Sequence, residues 1–154
     1  MTPVFGGNFA GGVEESGRQW ERGAAKAGFG PQSQLHAVGD GAPWIADQVD
    51  QHFGTQGNYR VDFFHRGADL AEASPVCGAD DPPAWLDPQK DRLKANQSAL
   101  VLAALAPFIE ADSDAPVAAC DRYRRNCLDQ LDDQGALQQG LPIGSGEIES
   151  AHRY

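Results

Sequence analysis

Paired cysteines and long apolar runs are both missing from this sequence, and each absence excludes a class of protein. The three cysteines are an odd number without a C-x-x-C pair, which argues against a disulfide framework and against a zinc ribbon. No apolar run approaches the roughly 18 residues that a membrane-spanning helix needs. The first residues also lack the basic and apolar segments of a secretory signal. We therefore expect a cytoplasmic protein with no membrane partner.

Basic residues are scarce as well, because 12 Lys and Arg stand against 22 Asp and Glu and leave a formal net charge of −10. Binding to a phosphate backbone requires clustered Lys and Arg. A short cluster of Arg122, Arg124 and Arg125 is flanked by acids, and we interpret it as a solvated face. The chain taken alone is therefore expected to bind DNA weakly.

The 154 residues, 41% of them hydrophobic and 22% charged, predict one domain without internal repeats. Residues 1–33 read as an irregular segment that contains a polar surface helix from Val13 to Ala27, with Gly28 as its stop.

Residues 34–65 have the pattern of a strand, a helix and a second strand. The apolar run LHAVGDG is followed by a helix signal that begins at Pro43 and stops at Gly54, and then by a β-rich run from Tyr59 to Phe64. A βαβ unit of this length predicts two parallel strands that are adjacent or nearly so. The fold class is therefore expected to be α/β.

Ligands of such units gather at the carboxyl ends of the strands, where Asp40 follows the first run and Asp62 and His65 lie near the end of the second. Asp40 is either an exposed site carboxylate or a turn-forming Asp, since Asp-Gly is a common turn. Asp62 and His65 are either a metal pair, an acid–base pair, or structural residues.

Residues 66–139 are acidic and helical in pattern, without a strand signal of useful length. Within them, Cys120 and Cys127 favour core filling over ligation. Residues 140–154 then read as a loop followed by a helix that begins near Ser145. Glu147 and Glu149 in its first turns either complement the helix dipole or belong to a site.

Taken together and in this order, three runs resemble the ISKra type of bacterial insertion-sequence transposase, a DDE family with a ribonuclease-H-like fold. They are VGDGAPWI at 38–45, YRVDFFH at 59–65 and GLPIGSGEIESAHRY at 140–154. The resemblance implies an incomplete ribonuclease-H-like core of one βαβ unit in residues 34–65, with a mainly α-helical insertion at 66–139.

The resemblance also implies catalytic roles. Asp40 corresponds to the second catalytic acid and Glu149 to the third, with Glu147 as the less favoured choice. Both acids would hold Mg²⁺ or Mn²⁺ for cleavage and strand transfer of DNA at transposon ends. Asp62 and His65 resemble an accessory motif of Mutator-like relatives. Two acids of one site predict carboxylates of Asp40 and Glu149 within about 8 Å, with Glu147 pointing elsewhere.

One part of the family pattern has no counterpart, because residues 1–39 contain no Asp that could serve as the first acid. We therefore expect a transposase fragment, truncated at both ends, that binds its metal ions weakly or not at all and is inactive alone. The alternative is a non-enzymatic, acidic, helical remnant that binds a protein partner.

Overall fold

The computed structural model describes residues 11–144, which form seven α-helices and one sheet of two parallel strands. These elements are α1 (Gly12–Lys26), β1 (Leu35–Gly39), α2 (Pro43–Phe53), β2 (Gly57–Val61), α3 (Phe63–Cys77), α4 (Pro82–Lys94), α5 (Ser98–Leu105), α6 (Pro116–Asn126) and α7 (Asp133–Gln138). None of the helices in this part of the chain combines the length and the apolar character needed to cross a membrane. The helix expected near Ser145, with Glu147 and Glu149, lies outside the described residues.

The predicted strand, helix and strand are present, and the chain is of mixed α/β type. Pro43 occupies the first turn of α2, where its missing N–H costs nothing. The two strands pair in parallel from Leu35 opposite Gly57 to Gly39 opposite Val61. The second strand was predicted to reach Phe64, but it ends at Val61 because the Asp62 side chain accepts hydrogen bonds from the first turn of α3.

Helix α2 packs on the sheet and α1 packs on α2, and together they contribute to an apolar cluster that we call the sheet core. A Cβ at Gly17 would clash with the Gln48 side chain, so this glycine lets the two helices approach. Trp20 of α1 stacks on Trp44 of α2 with ring centroids 5.8 Å apart. The buried members of the sheet core are Ala24, Val49, Phe53, Tyr59, Val61, Cys127 and Leu131.

Helices α3 to α7 form what we call the helical block, residues 63–138, in which the described chain has no strand. Its apolar cluster, the block core, consists of Phe63, Leu70, Ala73, Cys77, Leu93, Val101, Leu105, Val117 and Cys120.

Apolar residues keep helical spacing in the sequence from Val117 to Leu131, but α6 ends at Asn126 and α7 begins at Asp133. The chain turns between them, so that Cys127 and Leu131 enter the sheet core while Leu128 is exposed. The two cysteines predicted to fill the core therefore do so in different clusters.

Two arginines are buried in the helical block. Arg66 donates two hydrogen bonds of 2.6 Å to the carboxylate of Asp133, and both side chains are 1% exposed. Arg124 is also 1% exposed and donates to the Arg66 carbonyl at 2.7 Å. The prediction that residues 122–125 form a solvated face was therefore wrong for Arg124, which turns inward where α6 packs on α3.

Candidate functional site

The carboxyl ends of β1 and β2 bring Asp40 and Asp62 to one edge of the sheet. Gly39 and Val61 are paired across the strands, and the Asp62 N–H donates to the Gly39 carbonyl at 2.7 Å. The two aspartates thus follow neighbouring strands at the place where α/β folds collect ligands. The Asp40 side chain is exposed, whereas Asp62 is 5% exposed.

Asp40 lies in a tight turn, Gly39–Ala42, which we call the Asp40 turn. Its Oδ1 accepts a hydrogen bond of 3.0 Å from the Ala42 N–H, the geometry of a turn-forming Asp. Gly41 has φ of +90°, a conformation that favours glycine. Within residues 11–144, the second carboxylate oxygen, Oδ2, has no hydrogen-bond partner. The turn-forming and ligand-binding interpretations of Asp40 are therefore compatible.

Two tyrosines hold the backbone of this turn. The Tyr123 hydroxyl donates to the Asp40 carbonyl at 2.7 Å, and the Gly41 N–H donates to the Tyr59 hydroxyl at 2.9 Å. Burial raises the pKa of Tyr59 to about 12, and burial also raises the pKa of Tyr123. Both phenols are therefore protonated at neutral pH. Nothing in the sequence links Tyr123 to a residue 83 positions away, so sequence reasoning missed it.

Asp62 forms the N-cap of α3. Its Oδ1 accepts from the Phe64 N–H at 2.7 Å and from the His65 N–H at 3.3 Å, which satisfies two backbone donors of the first helical turn. The side chain of His65 is exposed, and its ring meets the ring of Tyr123 edge to face with centroids 5.8 Å apart. The spacing of the D-x-x-H motif is thus that of an N-cap and the third residue of a helix.

The segment at 141–144 contacts β1 and the start of α3, next to the same edge. The His36 ring donates to the Pro142 carbonyl at 2.8 Å, and the Phe63 N–H donates to the Ile143 carbonyl at 2.8 Å. A Cβ on Gly144 would lie 3.2 Å from Asp62 Oδ1. Gly144 therefore sits beside the Asp62 carboxylate, three positions before Glu147 in the sequence.

A shallow groove adjoins the Asp40 turn between α3 and α6, with a volume of about 230 Å³. Burial raises the pKa of Asp69 in this groove, and His65 and Arg124 oppose that rise. Tyr123 lines the groove and also donates a hydrogen bond to the Asp40 turn. Polar residues that line the groove are His65, Asp69, Glu72, Arg122 and Tyr123.

Carboxylate oxygen is the ligand that Mg²⁺ prefers in proteins, and exposed Asp40 fits that chemistry. Across residues 11–144, however, no three His, Cys, Asp or Glu side chains are grouped so that they could hold a metal ion. Comparison with known proteins found no matching family model, curated protein or solved structure.

Proposed function

We propose that this chain is a fragment of a DDE transposase of the ISKra type, with part of a ribonuclease-H-like core, that acts in DNA transposition by metal-dependent phosphoryl transfer. The observation that carries the proposal is the edge of the parallel sheet, where exposed Asp40 follows β1, Asp62 follows β2, and Gly144 lies beside Asp62. The resemblance assigns one catalytic acid to Asp40 and another to Glu149, which follows Gly144 by five positions.

Covalent reach permits the pairing of Asp40 with Glu149. Five residues span at most about 18 Å even when fully extended, so the covalent chain limits how far Glu149 can lie from this edge. We propose that Glu149 supplies the second carboxylate and that Glu147 points away from Asp40. When bound, Mg²⁺ or Mn²⁺ would activate the attacking oxygen and stabilise the leaving oxygen of a phosphodiester.

The described residues prepare one half of such a site. The Asp40 turn presents a carboxylate to solvent with Oδ2 open, and Asp62 fixes the start of α3 as its cap. His65 lies beside Tyr123 at the rim of the same edge. Without a counterpart of the first acid in residues 1–39, two carboxylates bind the ion weakly, and the isolated chain does not cleave or join DNA.

Weak binding of DNA by this chain follows from how its arginines are used. Arg60, Arg66, Arg122 and Arg125 each pair with an aspartate, and Arg18 and Arg22 share Glu15. Cations already matched by acids neutralise few phosphates. We therefore propose that the DNA contacts of the intact transposase are made largely by other parts of that protein.

One observation favours the alternative of a non-enzymatic interaction protein. Leu100 on α5 and the pair Phe108 and Ile109 just after it are 49%, 38% and 44% exposed. Exposed large apolar side chains can mark a protein interface when they form one patch. This alternative requires no metal at Asp40, so a metal titration separates the two functions.

The test is a titration of the ¹⁵N-labelled full chain with Mn²⁺, whose unpaired electrons broaden the amide signals of nearby residues. We expect the earliest broadening at Gly41, Ala42 and Gly144. Asp40→Asn and Glu149→Gln should each remove it, because each deletes a charged ligand. Glu147→Gln and the matched control Asp47→Asn, an exposed charge on α2, should leave it unchanged.

Absence of broadening at the Asp40 turn, or broadening that persists in Asp40→Asn, would reject the transposase site and favour the interaction protein. Loss in Glu147→Gln but not in Glu149→Gln would overturn the choice of Glu149. Metal-dependent nicking of DNA that disappears in Asp40→Ala would contradict the proposed inactivity of the chain.

A further inference from the structure

The peptide group between Asp40 and Gly41 is held from both sides. Its C=O accepts from the Tyr123 hydroxyl at 2.7 Å, and its N–H donates to the Tyr59 hydroxyl at 2.9 Å. Because a trans peptide is planar, its two polar groups point in opposite directions, and fixing both fixes the plane. The orientation of that plane sets ψ of Asp40, and with it the path of the chain around the carboxylate.

The sheet cannot provide these hydrogen bonds. The Gly39 carbonyl, the last acceptor of β1, is already taken by the Asp62 N–H. The next peptide lies beyond the paired strands, where an unsatisfied polar group is costly once neighbours exclude water. The two hydroxyls therefore supply the backbone hydrogen bonds of this peptide, which lies just beyond the paired strands.

Each glycine beside Asp40 leaves room for one of the two tyrosine hydroxyls. A Cβ at Gly39 would come within 2.9 Å of the Tyr59 hydroxyl oxygen. A Cβ at Gly41 would come within 2.5 Å of the Tyr123 hydroxyl oxygen. The G-D-G sequence is thus explained by two close approaches of tyrosine, in addition to the positive φ of Gly41.

Tyr123 reaches the turn from the helical block. It lies on α6, which packs against α3, and its ring is braced by the edge of His65. We propose that Tyr123 is a positioning residue for Asp40, through which the helical block sets the direction of the candidate carboxylate. This inference rests on the proposed function for the role of Asp40, but the restraint itself can be measured without metal.

The test compares Tyr123→Phe with the wild-type full chain in two measurements. Without metal, loss of the donor should move the ¹³C signal of the Asp40 carbonyl and speed hydrogen exchange of the Gly41 amide, while β2 amides away from the turn stay unchanged. With Mn²⁺, the dissociation constant should rise about three- to tenfold, the range expected for the loss of one hydrogen bond.

A control for stability alone is Leu93→Ala, which removes a fully buried side chain from the block core. It should lower the unfolding temperature more than Tyr123→Phe does, yet leave the Asp40 carbonyl signal and the Mn²⁺ affinity unchanged. An unmoved Asp40 carbonyl in Tyr123→Phe would overturn the positioning role, whatever the metal does. If Tyr123→Phe shifts the Asp40 carbonyl signal but the wild-type chain binds no Mn²⁺, the positioning role of Tyr123 stands and the metal site is rejected.

Discussion

The helical block and the region around the sheet are stabilised in different ways. The block core is mostly aliphatic and closed, with Leu70, Val101, Leu105 and Val117 all at 0% exposure. The sheet core combines aliphatic side chains with buried Phe53 and Tyr59 and with several partly buried aromatic rings, and every residue of β1 is half-buried. Parallel sheets are normally covered on both faces, and sheets of two strands are marginal by themselves. The candidate carboxylate therefore belongs to the weaker of the two regions.

Contacts between the regions show how that weakness is offset. Arg60 of β2 binds Asp132 next to α7 at 3.1 Å, and Tyr123 of α6 binds the Asp40 carbonyl. Cys127 and Leu131, which leave the block after α6, complete the sheet core. The helical block therefore supports the sheet region and the backbone of the Asp40 turn.

The largest expected effect comes from breaking the closed block at its buried ion pair. Asp133→Ala leaves the Arg66 guanidinium buried without its carboxylate, and we expect the free energy of unfolding to fall by about 3–5 kcal/mol. Urea denaturation followed by tryptophan fluorescence measures the change. Replacing both partners by leucine should recover much of the loss.

The matched control is Asp129→Ala, an exposed aspartate in the same stretch of chain. It should change the free energy of unfolding by less than about 0.5 kcal/mol. An equal, small effect of Asp129→Ala and Asp133→Ala would show that the block is not stabilised as described.

The second-largest expected effect is a pH dependence of the free energy of unfolding that comes from Tyr59 in the sheet region. Burial raises the pKa of Tyr59 from its ordinary value of 10.0 to about 12, so the folded state holds this proton more tightly. The contribution is fully present below pH 10 and is lost as the pH rises toward 12, by about 2–3 kcal/mol.

Subtracting the Tyr59→Phe curve from the wild-type curve isolates this contribution, because Tyr123 and the three cysteines, whose pKa values are also raised, titrate in both proteins. Denaturation curves between pH 8 and pH 12 measure the difference. A difference that stays constant above pH 10 would mean that Tyr59 is not buried at the Asp40 turn.

The sequence predicted the parts of the fold that depend on local signals. Pro43 and the apolar spacing after it located α2, and the β-rich run around Tyr59 located the second strand. The end of that strand was predicted too late, because the capping role of Asp62 competes with strand continuation and depends on the turn that follows. The break after Asn126 was missed, because Cys127 and Leu131 keep helical spacing while they pack against a different core.

In the candidate site, too, features with a local sequence signal were predicted and those that depend on distant partners were not. A strand followed by Asp-Gly placed Asp40 at the carboxyl edge, as the structure has it. Tyr123 and Arg124 were not recognised, because their partners lie 83 and 58 positions away in sequence and periodicity carries no information on such pairs. The predicted approach of Glu149 to Asp40 concerns a residue outside those the structure describes, so it stays a prediction.

The smallest expected effect on stability concerns the exposed ion pairs of Glu15 on α1. Glu15 on α1 bonds to the exposed side chains of Arg22 and Arg18, which lower the pKa of Glu15 to about 2. Exposed ion pairs are screened by water and salt. Glu15→Gln should therefore reduce stability at pH 7 slightly, and far less than Asp133→Ala.

Because the folded state depresses the pKa of Glu15, the contribution of its ion pairs is present above about pH 4.5 and is lost as the pH falls toward 2. Melting temperatures of wild type and Glu15→Gln should thus converge in acid and at high salt, with neighbouring Glu14→Gln as the control that shows no such convergence. A gap that persisted at pH 2 or in 1 M salt would show that Glu15 acts through packing, and the contrast between exposed pairs on α1 and the buried pair of the block would fail.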